Sequence, residues 1–228
     1  NDTLKLLNIY GIASAMSYLH SHNIIHSHLS PSNILMDYHM FPKVTDFQPF
    51  NFRDSSQNTI DTKTVIYTAP ELCGNSNYTK ETDVYAFAMI IYEIITNEKP
   101  FKNLNFFEIF TKVASGNRPE INLPESSPFK KLIEKCWSQS PADRPSFEEI
   151  KKILRFDTTF ISNSIDRQEY ENYVEYLDEY PNVFERTRRC ISIEEFVASK
   201  MKIFSPVSFF VGEQNQSEKN DFIETESG

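Results

Sequence analysis

Three observations predict a mainly α fold. From Thr3 to His20 the apolar residues Leu4, Leu7, Ile12, Ala15, Met16 and Leu19 recur at helical spacing. The run VYAFAMIIYEII, residues 84–95, is apolar at almost every position. It is too short and interrupted to span a membrane, so it reads as a helix buried on all sides. The stretches with strand character are only a few residues long and are broken by Pro31, Pro42 and Asn/Asp clusters.

Along the chain, the first helix covers Thr3–His20. Short strands are expected at Ile24–Ile25, Ile34–Met36 and Val44, as hairpins between tight loops. Residues Gln48 to Thr64 are rich in Ser, Thr, Asn and Asp and read as a long surface loop, a kind of segment that is usually functional. The apolar helix runs from about Thr82 to Asn97. It follows a capping region, YTKETD, and stops before Pro100. Helices follow near 104–115, 127–138 and 145–155, with Pro141 and Pro145 bracketing the turn before the last. Farther on, Tyr170, Tyr173, Val174 and Leu177 share one helical face, with Glu171, Glu175 and Asp178 opposite. That pattern suits an amphipathic helix docked on the main body; a partner-binding helix is the alternative. From Phe209 the chain turns polar and is expected to fray or be disordered.

Hydrophobic residues make up 39% of the 228 and aromatics 14%, enough for a packed core and too many for wholesale disorder. The net charge of −9 is uneven: residues 1–156 hold 17 acids and 16 bases, residues 157–228 hold 15 and 7. The step places a boundary near Asp157 and divides the chain into 1–156 and an acidic extension, 157–228. An acidic balance argues against nucleic acid as a partner, since phosphate binding needs a basic face. Cys73, Cys136 and Cys190 are widely spaced and form no CxxC pair, which excludes a zinc ribbon or disulfide framework and fits a reducing, cytoplasmic setting. The chain opens on Asn1 without a signal-peptide pattern.

The chemistry-bearing residues come in an ordered series. IIHSHLSPSN, residues 24–33, holds His26, Ser27, His28, Leu29, Ser30 and Asn33. Thr45-Asp46-Phe47 follows a short apolar strand, Ala69-Pro70-Glu71 closes the polar loop, Asp83 opens the apolar helix, and Arg144 lies in PADRPSF. The series resembles the C-terminal lobe of a eukaryotic protein kinase, which carries H-R-D-L-x-x-x-N, then D-F-G, then A-P-E. DVYAFAMIIYEIIT is similar to that lobe's central helix. CWSQSPADRPSFEEI is similar to its last helices in the tyrosine-kinase-like group of Ser/Thr kinases. The resemblance covers residues 1–156. It implies a helical lobe with short β-hairpins at the catalytic loop.

By this resemblance, Asn33 and Asp46 stand at the family's magnesium positions, and Leu35 stands where a side chain packs under adenine. Glu71 and Arg144 match a buried ion pair. His26 and Phe47 look like the base of an apolar column anchored by Asp83. Thr64 matches a threonine that contacts the catalytic Asp and Lys. Other positions depart from the pattern. His28 replaces the catalytic Asp, Ser30 the catalytic-loop Lys, Ser27 the Arg that accepts a phosphorylated loop, and Gln48 the Gly of D-F-G. Phosphoryl transfer depends on positioning, metal ions and a group that orients the nucleophile. A neutral imidazole can act as a base near pH 7, but His28 lacks the carboxylate charge that site is built around.

Histidines 20, 22, 26 and 28 form H-x-H-x₃-H-x-H, which as an imidazole cluster would suit zinc or copper. In the kinase-like frame His26 enters the core and His20 and His22 sit at a helix end, so their side chains diverge. The N-terminal lobe's Gly-rich loop, V-A-I-K lysine and partner glutamate are absent from these residues. The missing methionine and abrupt start suggest a fragment or a truncated gene.

The expectation is therefore an inactive kinase-like lobe that binds proteins through its helical subdomain and acidic tail. It would have no membrane span and no cofactor of its own, with Mg-ATP possible only beside an N-lobe. The alternatives are an active Ser/Thr kinase whose N-lobe lies outside this chain, and a degenerate gene product without a selected role.

Overall fold

A computed structural model describes residues 1–47, 64–74 and 77–186, with side chains through residue 179. Six helices and one hairpin make up its regular structure. Helix α1 (Asp2–Ser21) leads into a two-stranded antiparallel hairpin, β1 (Ile34–Met36) and β2 (Pro42–Val44), with Leu35 opposite Lys43. Helices α2 (Lys80–Thr96), α3 (Phe106–Ala114), α4 (Pro128–Cys136), α5 (Phe147–Phe156) and α6 (Arg167–Arg186) follow.

Helix α2 is the centre of the core. Every residue from Thr82 to Tyr92 is buried, and α1, α4 and a short 3-10 turn at Val65–Tyr67 pack around it. Each large apolar side chain so buried contributes about 1.5–3 kcal/mol, which makes α2 the main source of cohesion. Thr82 Oγ1 accepts the Thr79 amide at 3.1 Å to start the helix, and Asn97, at φ 56°, ends it. The flanking helices are amphipathic and bury Ile109 and Val113 from α3, Leu132, Ile133 and Cys136 from α4, and Phe147, Ile150 and Leu154 from α5. Asn105 with Glu108 and Ser146 with Glu149 form reciprocal caps at the starts of α3 and α5.

The described residues correct the sequence reading in several places. Ile24–Ile25 is not a strand: Asn23, at φ 57°, closes α1, and the Ile24 amide donates to the Leu19 carbonyl at 2.9 Å. Only one hairpin forms among the described residues. The helix expected over Thr3–His20 is present as α1, which also buries Leu6, Ile9, Tyr10 and Ala13, while Ala15 is half-buried. Asp178 does not face solvent with Glu171 and Glu175. It is half-buried and paired with Lys151 at 2.8 Å and with Arg155. Gln48, the polar loop through residue 63 and the polar end from Phe209 lie outside the described residues.

Beyond α5 the chain stays on the body. The Asp166 amide donates to Thr3 Oγ1 at 2.9 Å, and the Tyr170 hydroxyl donates to the Leu154 carbonyl at 2.9 Å. No helix among the described residues is long and apolar enough to cross a membrane.

Candidate functional site

The loop from Ile24 to Asn33 is held from below by one carboxylate. Asp83, in the first turn of α2, accepts the amide of His26 on Oδ2 and the amide of Ser27 on Oδ1, both at 2.8 Å. His20 Nε2 completes the set at 2.9 Å from Oδ2. Ser27 sits at φ 65°, a left-handed conformation costly to an L residue with a side chain. Two amides aimed at one buried carboxylate hold it there. His20 was missed by the sequence reading in this role: it lies 63 residues from Asp83, and no local spacing links them.

The His26 ring is buried, 6.4 Å from the Phe47 ring at 66°. Its Nδ1 accepts the His28 amide at 3.3 Å. Burial pushes the imidazole below its ordinary value, outweighing the Asp83 carboxylate, which pulls the other way. His20, His22 and His26 diverge as expected: His20 turns to Asp83, exposed His22 turns back to the Tyr18 carbonyl, and His26 enters the core. Among the described residues no group of three or more His, Cys, Asp or Glu side chains is placed to hold a metal.

His28 itself is exposed. Ser30 is buried and shares a hydrogen bond with Ser32 across 2.9 Å, so its hydroxyl is committed within the loop. Asn33 donates from Nδ2 to the His28 carbonyl at 2.7 Å, and its Oδ1 has no partner among the described residues. Across the hairpin the Thr45 amide and hydroxyl both reach the Asn33 carbonyl, at 2.9 and 3.2 Å. Asp46 is the next residue, exposed and at φ 58°. The hairpin therefore brings Asn33 and Asp46 to its two feet. One carboxylate and one amide oxygen are hard donors that suit magnesium in part; such an ion takes its other ligands from water and phosphate. Leu35 lies on the hairpin's open side, 53% exposed.

A small open hollow of about 30 Å³ lies between this loop and the Thr64–Leu72 segment. Ser27, His28, Ser30, Thr64 and Thr68 line it with neutral groups or imidazole. Among the described residues that line it, the one carboxylate is Asp83, which already receives two amides and His20. Tyr67, on the same rim, donates to Glu93 on α2 at 2.5 Å and ties the segment to the core. Burial raises the Glu93 carboxyl, and burial with the Glu93 charge raises the Tyr67 phenol.

Glu71 and Arg144 meet as a two-pronged pair, NH1 to Oε1 at 2.7 Å and NH2 to Oε2 at 2.8 Å. The Arg144 side chain is wholly buried and also donates to the carbonyls of Ser138 and Glu81, each at 2.9 Å. Its guanidinium lies 5.2 Å from the Tyr85 ring centre, and Arg118 lies at the same distance.

Comparison with known proteins agrees with this frame. The sequence model of the protein tyrosine and serine/threonine kinase family matches residues 2–154. A probable serine/threonine-protein kinase of Dictyostelium discoideum is 39% identical over 155 residues, 68% of this chain and 12% of that protein. A probable LIM domain-containing serine/threonine-protein kinase of the same organism is 39% identical over 145 residues, 63% of this chain and 22% of its own length. Mitogen-activated protein kinase kinase kinase 12 of Rattus norvegicus is 31% identical over 181 residues, 78% of this chain and 20% of its own. The chain spans less than a quarter of each of these relatives. With two thirds of its length matched in sequence order and a helical lobe built around Asp83 and the Glu71–Arg144 pair, this chain belongs to the protein tyrosine and serine/threonine kinase family.

Proposed function

We propose that this chain is a catalytically inactive kinase-like lobe of the tyrosine-kinase-like group that serves as a protein-binding module in the cytoplasm. One observation carries the reading. The hollow where a hydroxyl substrate would lie offers exposed His28 and a Ser30 hydroxyl committed to Ser32, and its one carboxylate is already engaged. General base catalysis is worth about 10²–10⁴-fold, and the cation that would steady the phosphate is replaced as well. Residues 1–156 form the lobe and 157–228 an acidic extension; the family match ending at residue 154 supports that division.

Protein contacts fit two surfaces, the helical subdomain and the acidic tail. Phe107 on α3 is 77% exposed beside Phe106 and Phe110, and a large exposed aromatic of this kind suits a partner interface.

The alternative reading is an active Ser/Thr kinase completed by residues outside this chain. It is favoured by the hydrogen-bonded frame that keeps Asn33 and Asp46 at the feet of one hairpin. The test is phosphate transfer by the native-length protein, isolated through its tail and given Mg-ATP and a generic Ser/Thr substrate. The inactive reading expects no transfer above the background of the Asp46→Ala variant. Robust transfer that Asp46→Ala abolishes would overturn it.

A further inference from the structure

The hairpin that carries Asn33 and Asp46 has little to hold it. Its strands are three residues each, and a two-stranded ribbon is marginal on its own. Leu35 and Met36 on one strand and Tyr38 and Met40 in the turn are exposed. Asp37 ties the turn by accepting the His39 and Phe41 amides and pairing with Lys43, and the rest of the hairpin's support comes from the β2 side, which packs on α1. There Pro42 is buried against α1, at the position of Gly11. A methyl group at Gly11 would stand 2.7 Å from Pro42 Cγ and collide with the Tyr173 hydroxyl. Glycine in mid-helix is destabilising relative to alanine, and here it leaves room for a close approach of two other elements. Those elements are β2 and α6.

Tyr173 lies 4.4 Å from Phe41, ring to ring, where the chain enters β2. Helix α6 is fixed around that contact at several points. The Asp166 carboxylate accepts the Glu169 amide at its start, and the Asp166 amide binds Thr3. Tyr170 bonds the Leu154 carbonyl and meets Tyr10 edge-on at 5.8 Å. Asp178 pairs with Lys151 and Arg155 of α5. Residues 167–179 lie outside the stretch matched by the family model.

We infer that α6 is a brace: by pressing Tyr173 onto Phe41 over Gly11 it holds the β1–β2 hairpin, and thereby sets the spacing of Asn33 and Asp46. Release of α6 loosens both oxygen donors together and leaves the core around α2 intact. The device acts whether or not the lobe transfers phosphate.

Amide hydrogen exchange on the full chain tests it, because local opening is read residue by residue. The informative amides are those of Asp37, Met40 and Thr45, bonded to Phe41, Asp37 and Asn33. In Tyr173→Ala they should exchange at least about tenfold faster, while Ile90 and Ile91 amides in α2 stay within about twofold. Tyr173→Phe, which keeps the ring, should restore protection. Asp178→Lys touches neither the hairpin nor the core, and should speed the same amides by about threefold or more, a test that survives if Tyr173→Ala does not fold. Unchanged hairpin exchange in Asp178→Lys and Tyr173→Ala would make α6 a passenger. Equal acceleration in α2 would mean general destabilisation. Either result overturns the brace.

Discussion

Asp83 Oδ1 holds the amide of Ser27 at 2.8 Å while Ser27 sits at φ 65°, so a buried carboxylate and a strained backbone are set against each other. Replacing Asp83 with alanine strands two amides and the His20 ring. A buried donor left without an acceptor costs about 1–3 kcal/mol, so Asp83→Ala should cost on the order of 3 kcal/mol or more in urea unfolding. Ser27→Gly should instead gain about 0.5–1 kcal/mol, because glycine adopts this conformation freely. A loss in Ser27→Gly would show that the serine side chain, rather than the backbone, is what the loop needs.

Glu71→Ala leaves the wholly buried Arg144 guanidinium without its carboxylate. Breaking one side of a buried pair costs about 3–5 kcal/mol. Thermal unfolding should show a drop larger than that for Lys152→Ala, which breaks the exposed pair with Glu148.

Tyr85 is flanked by two guanidinium groups, yet its buried hydroxyl has no hydrogen-bond partner among the described residues. Tyr85→Phe keeps the ring and removes the orphaned group. Chemical denaturation should show a gain of about 1 kcal/mol; a loss would point to a bound water at that hydroxyl.

His26 gives the fold a pH dependence of known sign. Its folded value lies below the ordinary 6.5, so the unfolded chain binds more protons in that window. The stability it supports is complete above pH 6.5 and falls as the pH drops from there toward the folded value, by at most about 1.4 kcal/mol per pH unit. His26→Asn keeps an acceptor for the His28 amide and should flatten the stability difference between pH 7.5 and 5.5. The raised carboxyl of Glu93 acts with the opposite sign, its contribution falling as the pH rises from 4.5.

His28→Asp alone should not produce turnover. The added carboxylate would face Ser27 and Ser30, and no Lys or Arg among the described residues lines the hollow. A phosphate-transfer assay on the variant should stay at background; robust transfer would show that this single residue silences the lobe.

Much of this was legible in the sequence, and the exceptions share a physical cause. The apolar run of α2 identified a helix buried on all sides because no solvent face interrupts it. Arg144 and Glu71 lie 73 positions apart and were matched only through the family pattern, yet their geometry is the expected two-pronged pair. The helical spacing from Thr3 to His20 marked α1, which packs against α5, α6, β2 and α2. Ile24–Ile25 was misread because branched apolar residues suit a strand, while Asn23 closes the preceding helix onto the same stretch. Asp178 was assigned to solvent by its charge, and its partners on α5 could not be read from its own helix.

The contact between Thr3 and Asp166 spans almost the whole lobe. During synthesis α1 leaves the ribosome before α6, and the surface around Tyr10 and Gly11 must wait for more than 150 further residues before α6 arrives to cover it. At typical elongation speeds of about 5–20 residues per second that is on the order of ten seconds or more of exposed aromatic surface. The nascent chain is therefore open to chaperones, and to premature pairing with neighbours, until α6 is made.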